Sequence, residues 1–436
     1  MSSIEEVPLP DHRNRSALPA VAVGLAAALL AACSDAPPGQ ERAPGVGPLV
    51  TRSGEPGRAD DVVAFRLNRM QGYMSAGRPS DIVRARVLDD QLAGALGKPG
   101  RVLMAHLLDY THEVVAARRS RRHSRETFFH ALADLNAELE QQRLGYFLYA
   151  GFEWDDSFER VEEVKLEALA ITRVRTYEAG EAGLAGERVR ALHVHRLEEP
   201  RVHATKLGFT SVEYAEVFVL PRAIDAHVAE GLVPAADPAA FTPLFPVGVS
   251  DAETEWYRAL RRRLAEVMAE ELGGSDVAQA ARDALTHAVE LHEVQHQLDY
   301  RRKPDLPDSF RVLSERLNKR LVWSSMYETS AHLAQLARAP ASARTILGDI
   351  VSNTFTGDCA GADCLATLVI LEELGAELGH ATPRELTAES AYTIAAVAEL
   401  YVDIAGHPAA DVSAAAQRAW ERIFGEPLAP VRLVER

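Results

Sequence analysis

The chain has 436 residues, of which 47% are hydrophobic and 25% charged, enough apolar material for two or three cores and a composition that excludes general disorder. Its formal net charge is -16 and it contains no long basic run, which excludes a surface that tracks nucleic-acid phosphates.

At the amino terminus, HRNR (His12 to Arg15) precedes the apolar stretch ALPAVAVGLAAALLAAC, which ends at Cys33 and has the layout of a secretory signal. Pro19 and Gly24 interrupt it, whereas a permanent membrane helix needs about 20 predominantly apolar residues. The end of this run, Leu30-Ala31-Ala32-Cys33, resembles the lipobox of bacterial lipoproteins. That resemblance implies cleavage of residues 1–32, lipidation of Cys33 and attachment to a membrane through its acyl chains. In such lipoproteins an Asp directly after the cysteine favours the inner membrane. Ser34 takes that place here, so the expected address is the cell envelope, at the outer membrane and facing the periplasm.

Residues 33–59 are dense in Pro, Gly and small polar side chains and read as a flexible tether. From 60 to 151 apolar residues recur at spacings of three and four, as in DIVRARVLDDQLAGAL and ETFFHALADLNAELEQQRLGYFLYAG, which predicts a helical region. Between 152 and 250 the texture changes to short alternating runs, KLEALAITRVRTYEAG, ERVRALHVHRL and EYAEVFVLP, which predict a small sheet. In HVH, His193 and His195 are expected on a solvated strand face opposite Leu192 and Val194. Residues 251–436 return to an Ala-rich helical pattern, so the fold class is α+β and mainly α-helical. Apart from Cys33 the cysteines are Cys359 and Cys364, in DCAGADC, a spacing that can close a small disulfide loop in an oxidising compartment.

The segment ELHEVQHQLD carries His292, Glu293 and His296 in the order H-E-x-x-H. Asp276, with Gln279 three residues on, predicts the start of its helix, and Pro304 predicts its stop. Leu285, Ala288 and Val289 share a stripe with His292, His296 and Asp299, so the two imidazoles continue a buried face and converge inward. Two imidazoles one turn apart can grip a metal while Glu293, beside the first, takes a proton without occupying the ion. A third ligand is needed. Asp299 lies on the same helix and suits an orienting role, since one straight helix presents three ligands poorly. Glu328 follows His296 by 32 positions, in a predicted helix running through RVLSERLNKRLVWSSMYETSAHLAQLARAP, where Ala331, His332 and Gln335 share its face.

On these residues, His292, Glu293, His296 and Glu328, residues 285 to 337 resemble the gluzincin metallopeptidases. The resemblance implies a zincin-like catalytic region, with the H-E-x-x-H helix and a following glutamate helix after a small sheet. It also implies Zn2+ held by His292, His296 and Glu328, with Glu293 as general base and a peptide or protein substrate. Asp299, His332 and Tyr327 are candidates for supporting a ligand or the developing oxyanion. EYAEVFVLP is the expected edge strand for an extended substrate. The alternative is a non-catalytic envelope lipoprotein, a helical scaffold or partner-binding module that retains the fold.

Overall fold

The described residues of the computed structural model are 145–154, 161–180, 186–196, 206–236, 251–273, 276–354, 361–380 and 394–434, with single positions between 133 and 140. The signal, the tether, Cys33 and most of the region 60–151 lie outside them, as does Cys359. The fold is α+β and mainly helical.

The sheet is built from β1 (Tyr146–Trp154), β2 (Val161–Ala179), β3 (Arg188–Arg196), β4 (Gly208–Phe209), β5 (Glu216–Val219) and β6 (Val431–Val434). Its order is β1-β2-β3-β5-β4, with β6 pairing to β2. Every pairing is antiparallel except β3 with β5. The long strand β2 serves three partners: β1 along its first half, then β3, and β6 against Thr176 to Ala179. A register shift between Ile171 and Arg173 interrupts the β2–β3 ladder, a bulge of the kind that re-aims side chains.

Three expectations change here. Tyr146 to Gly151 are strand, where the spacing predicted helix; Tyr146, Phe147, Leu148 and Tyr149 are all buried, an aromatic run that suits a sheet core. β5, the centre of EYAEVFVLP, is not an edge: it lies between β3 and β4, and β4 holds the edge. The C-terminal region is not wholly helical, because β6 returns to the sheet.

The helices are α1 (Pro221–His227), α2 (Asp251–Leu272), α3 (Val277–Arg302), α4 (Asp308–Ser314), α5 (Lys319–Arg338), α6 (Ala343–Thr354), α7 (Ala362–Glu377), α8 (Ile394–Ile404) and α9 (Ala409–Phe424). α3 starts where predicted: the Asp276 side chain accepts from Gln279 N at 2.9 Å. Gln279 does not complete the capping box in the reciprocal direction: its Oε1 accepts from Arg282 Nη2 at 2.9 Å, one turn on along the helix. Lys303, left-handed at φ 52°, ends the helix just before Pro304. The stretch predicted as one helix after KPDLPD is two, α4 and α5, because Asn318 caps a new start by accepting from Arg320 N.

One core cluster joins the sheet through Tyr177, Ala191 and Val217 to Leu291, Val294 and Leu298 of α3 and to the helices behind, with Trp420 and Tyr401 at its centre. A second packs Ile224, Val228, Leu264 and Leu285 against the other flank of α3. Phe147, Tyr149, Phe209, Tyr214 and Phe218 form an aromatic group on the sheet, in edge-to-face and stacked contacts. Among the described residues no helix is long and apolar enough to cross a membrane.

Candidate metal centre

α3 is flanked by the sheet, by α5 and by the α1–α2 cluster, so from Ala288 to Asp299 every residue except His292 is buried. The amphipathic pattern predicted one buried stripe. The wider burial places Glu290, Glu293, Gln295, His296, Gln297 and Asp299 in the interior, where polar groups need partners.

Most have them. Glu290, fully buried, accepts from Arg175 Nη1 at 2.8 and 3.1 Å and bonds Tyr177 Oη and His193 Nε2. Burial works against its charge, but the bonds from His193, His287 and Tyr177 outweigh it and hold the carboxyl well below the usual carboxylate range. His193 is therefore an interior residue, not part of a solvated strand face: the β2 bulge and the overlying α3 enclose it. Gln297 Nε2 donates to Tyr214 O. Asp299 accepts from Gln295 Nε2 at 2.9 Å and Arg302 Nη2 at 3.0 Å.

The expected support of a ligand imidazole by Asp299 is not made: Nδ1 of both His292 and His296 is buried without a hydrogen-bond partner, and one Asp299 oxygen likewise. Gln295 and Arg302, one helical turn to either side, take the carboxylate instead. Tyr327 stands a ring further out, 5.5 Å between centroids from Tyr300, with Asp299 and Arg302 as its electrostatic neighbours. Tyr300, which sequence reasoning passed over, lies flat against His296 at 6.2 Å between centroids and 14° between planes. Its spacing of four from His296 was the available signal.

The two histidines and the glutamate do meet. His292 Nε2 and His296 Nε2 are 3.0 Å apart, and Glu328 Oε2 of α5 is 3.3 Å from the first and 3.5 Å from the second. In a tetrahedral zinc site with bonds of about 2.0–2.1 Å, neighbouring donor atoms are about 3.3 Å apart, so the three separations fit such an ion. Two imidazoles and one carboxylate are also donors that zinc takes, each imidazole binding in its neutral form. His332, one turn after Glu328, joins the group: donor atoms of His292, Glu328 and His332 lie within 4.8 Å of one another and can hold a metal ion. Its ring is 4.4 Å from that of His292, and its Nδ1 is 3.2 Å from Gln335 Oε1.

The charges are arranged to match. Burial and the neighbouring His296 keep His292 below the ordinary imidazole value, and burial with His292 pushes His332 down to about 4, which leaves both free to donate lone pairs. Burial also disfavours charge on Glu328, but His296 and His292 hold it well below the usual carboxylate range. His296 runs against this: the Glu328 carboxylate outweighs burial and raises it to about 9, so it must give up a proton before its Nε2 can ligate. Glu293 faces the other way in acidity: burial pushes it up to about 7, with the Glu328 charge adding and His296 opposing. A carboxylate poised near neutrality is suited to taking and giving a proton.

β4 closes this side of the centre. A Cβ on Gly208 would sit 2.6 Å from Val289 Cγ1 and 3.0 Å from Glu293 Cγ, so only glycine lets the edge strand lie this close to α3. Lys206, two residues earlier, and Asp363, at the start of α7, form an ion pair at 3.6 Å and were not singled out in the sequence. Cys364, the next residue, is disulfide-bonded; its expected partner Cys359 lies outside the described residues. Comparison of the chain with protein families, with curated proteins and with solved structures finds no match.

Proposed function

We propose that this chain is a zinc-dependent metallopeptidase of gluzincin type, held to the outer membrane through Cys33 and facing the periplasm. The observation that carries the reading is the approach of Glu328 Oε2, from a separate helix, to within 3.5 Å of Nε2 of both His292 and His296. His292, His296 and Glu328 would hold the ion, with His332 at its side. When bound, zinc supplies Lewis acidity to water and to a peptide carbonyl. Glu293 would take the proton of the attacking water and deliver it to the leaving amine, a task for which its pKa, pushed up by burial to about 7, suits it. The tight packing of Gly208 fixes Glu293 from the strand side, and burial of α3 limits the water that competes for its proton.

The test is metal analysis with peptide hydrolysis on the purified chain and its Glu293→Gln variant. The reading expects one zinc per chain in both, and hydrolysis lower by about two to four orders of magnitude in the variant. A wild-type chain prepared without chelator that holds no metal would overturn it. Metal bound without turnover would instead favour the scaffold alternative.

A further inference from the structure

Lys206 sits where the edge strand meets the metal-ligand cluster, two residues before the glycine that abuts Glu293. Its charge is felt by His292 and Glu293. Asp363, with which it forms an ion pair, approaches from α7 and in turn is felt by His332. The pair therefore joins the strand side of the centre to the helix side.

This pair is built to exchange. At 3.6 Å it is longer than a direct hydrogen bond, and the side chains are 49% and 53% exposed, conditions under which solvent screens an ion pair and leaves it weak. Burial disfavours the Lys206 ammonium, yet the negative charges of Asp363, Glu328 and Glu293 more than offset it, so it stays charged. The chain as a whole is acidic, at -16, and repels anions at long range, which leaves a local cation as the means of accepting one. Loss of the weak contact with Asp363 costs little against a better-placed carboxylate.

We propose that Lys206 selects substrates bearing a carboxylate next to the scissile bond, either an Asp or Glu side chain or a free C-terminus, and leaves Asp363 to bind it. This deepens the metallopeptidase reading and rests on it. The test uses matched peptides: Glu against Gln near the cleavage site, and free acid against amide at the C-terminus, each for the wild type, Lys206→Met and Lys206→Glu. The wild type should favour the carboxylate member of one pair by about 10-fold or more in kcat/KM, and the pair that responds names the source. Lys206→Met should erase the preference, bringing the kcat/KM ratio of each pair to about 1 with zinc still bound, and Lys206→Glu should reverse it. Equal cleavage of both members by the wild type, or an equal loss for both in Lys206→Met, overturns the proposal. Equilibrium binding of the same peptides separates the two claims: absent hydrolysis overturns the peptidase reading alone, a binding preference removed by Lys206→Met supports the carboxylate site, and equal binding of both members overturns it.

Discussion

Glu290 of α3 and His193 of β3 share a hydrogen bond in the interior, so the helix that carries the proposed metal ligands is fastened to the sheet by a charge it keeps fully buried. Arg175 and Tyr177 of β2 complete the fastening. Replacing Glu290 by Ala would leave the part-buried Arg175 guanidinium without its counter-charge and the buried His193 Nε2 without its hydrogen-bond partner. The expected cost is about 3–5 kcal/mol of folding free energy, read by chemical denaturation, because one partner of a buried pair is lost while the other stays. A loss within about 0.5 kcal/mol would show the cluster to be solvated in solution.

Glu328→Ala and His332→Ala separate the ligand from its neighbour. Glu328→Ala should behave like His292→Ala and His296→Ala and lose zinc, since two remaining ligands rarely hold the ion. His332→Ala should retain it, with affinity lowered by about 10–100-fold if His332 supports the centre from its side. Titration against a competing chelator reads both. Asp299→Ala should keep zinc, because its carboxylate is engaged by Gln295 and Arg302; loss of zinc there with retention in Glu328→Ala would reassign the third ligand.

Gly208→Ala places a methyl 2.6 Å from Val289 Cγ1 and against Glu293. Either β4 moves off α3 or Glu293 moves off its line. The expected result is a loss of about 1–3 kcal/mol in stability and a fall in kcat with zinc still bound, since no ligand is touched. Unchanged kcat in a stably folded variant would show that β4 does not position Glu293.

The pairing of His227 with Asp349, 2.6 Å between Nε2 and Oδ1, joins the end of α1 to α6. The hydrogen bond to Asp349 raises the His227 pKa above its ordinary 6.5, against burial. Because the folded value lies above the unfolded one, the stabilisation is fully present below about pH 6.5 and disappears as pH rises through the folded value. The difference in unfolding free energy between wild type and Asp349→Asn should therefore be larger at pH 5.5 than at pH 8.5. Comparing the two proteins at each pH cancels the titration of the metal centre. A difference that grows with pH would contradict the pairing.

The boundaries of α3 and the meeting of His292, His296 and Glu328 were legible because caps, a proline and helical spacing are local signals. The lateral partners were not. Glu290 reads as a solvent carboxylate until β2 and β3 are laid over it, and nothing local to HVH shows that a helix nearly 100 residues later will cover His193. β5 is instructive in another way: EVFV is buried at three successive residues, the mark of an interior strand, so its apolar run argued against an edge from the start. β4, with two residues, is too short to carry a pattern at all. Asp299 was placed on the correct face, but its neighbours on the same helix, at one turn either way, compete for its oxygens more closely than any ligand does.

β6 brings Arg432 to Glu178, 254 positions earlier in the chain. Pairings of such long range form late and slow the search for the native state, because loop closure must precede any gain from the contact. Until residues 431–434 are made and delivered, the outer margin of β2 beside Tyr177 presents open hydrogen-bonding groups. Completion of the sheet therefore waits on a strand made 254 positions after Glu178, and during that interval the exposed margin is where strands of two unfinished molecules would join.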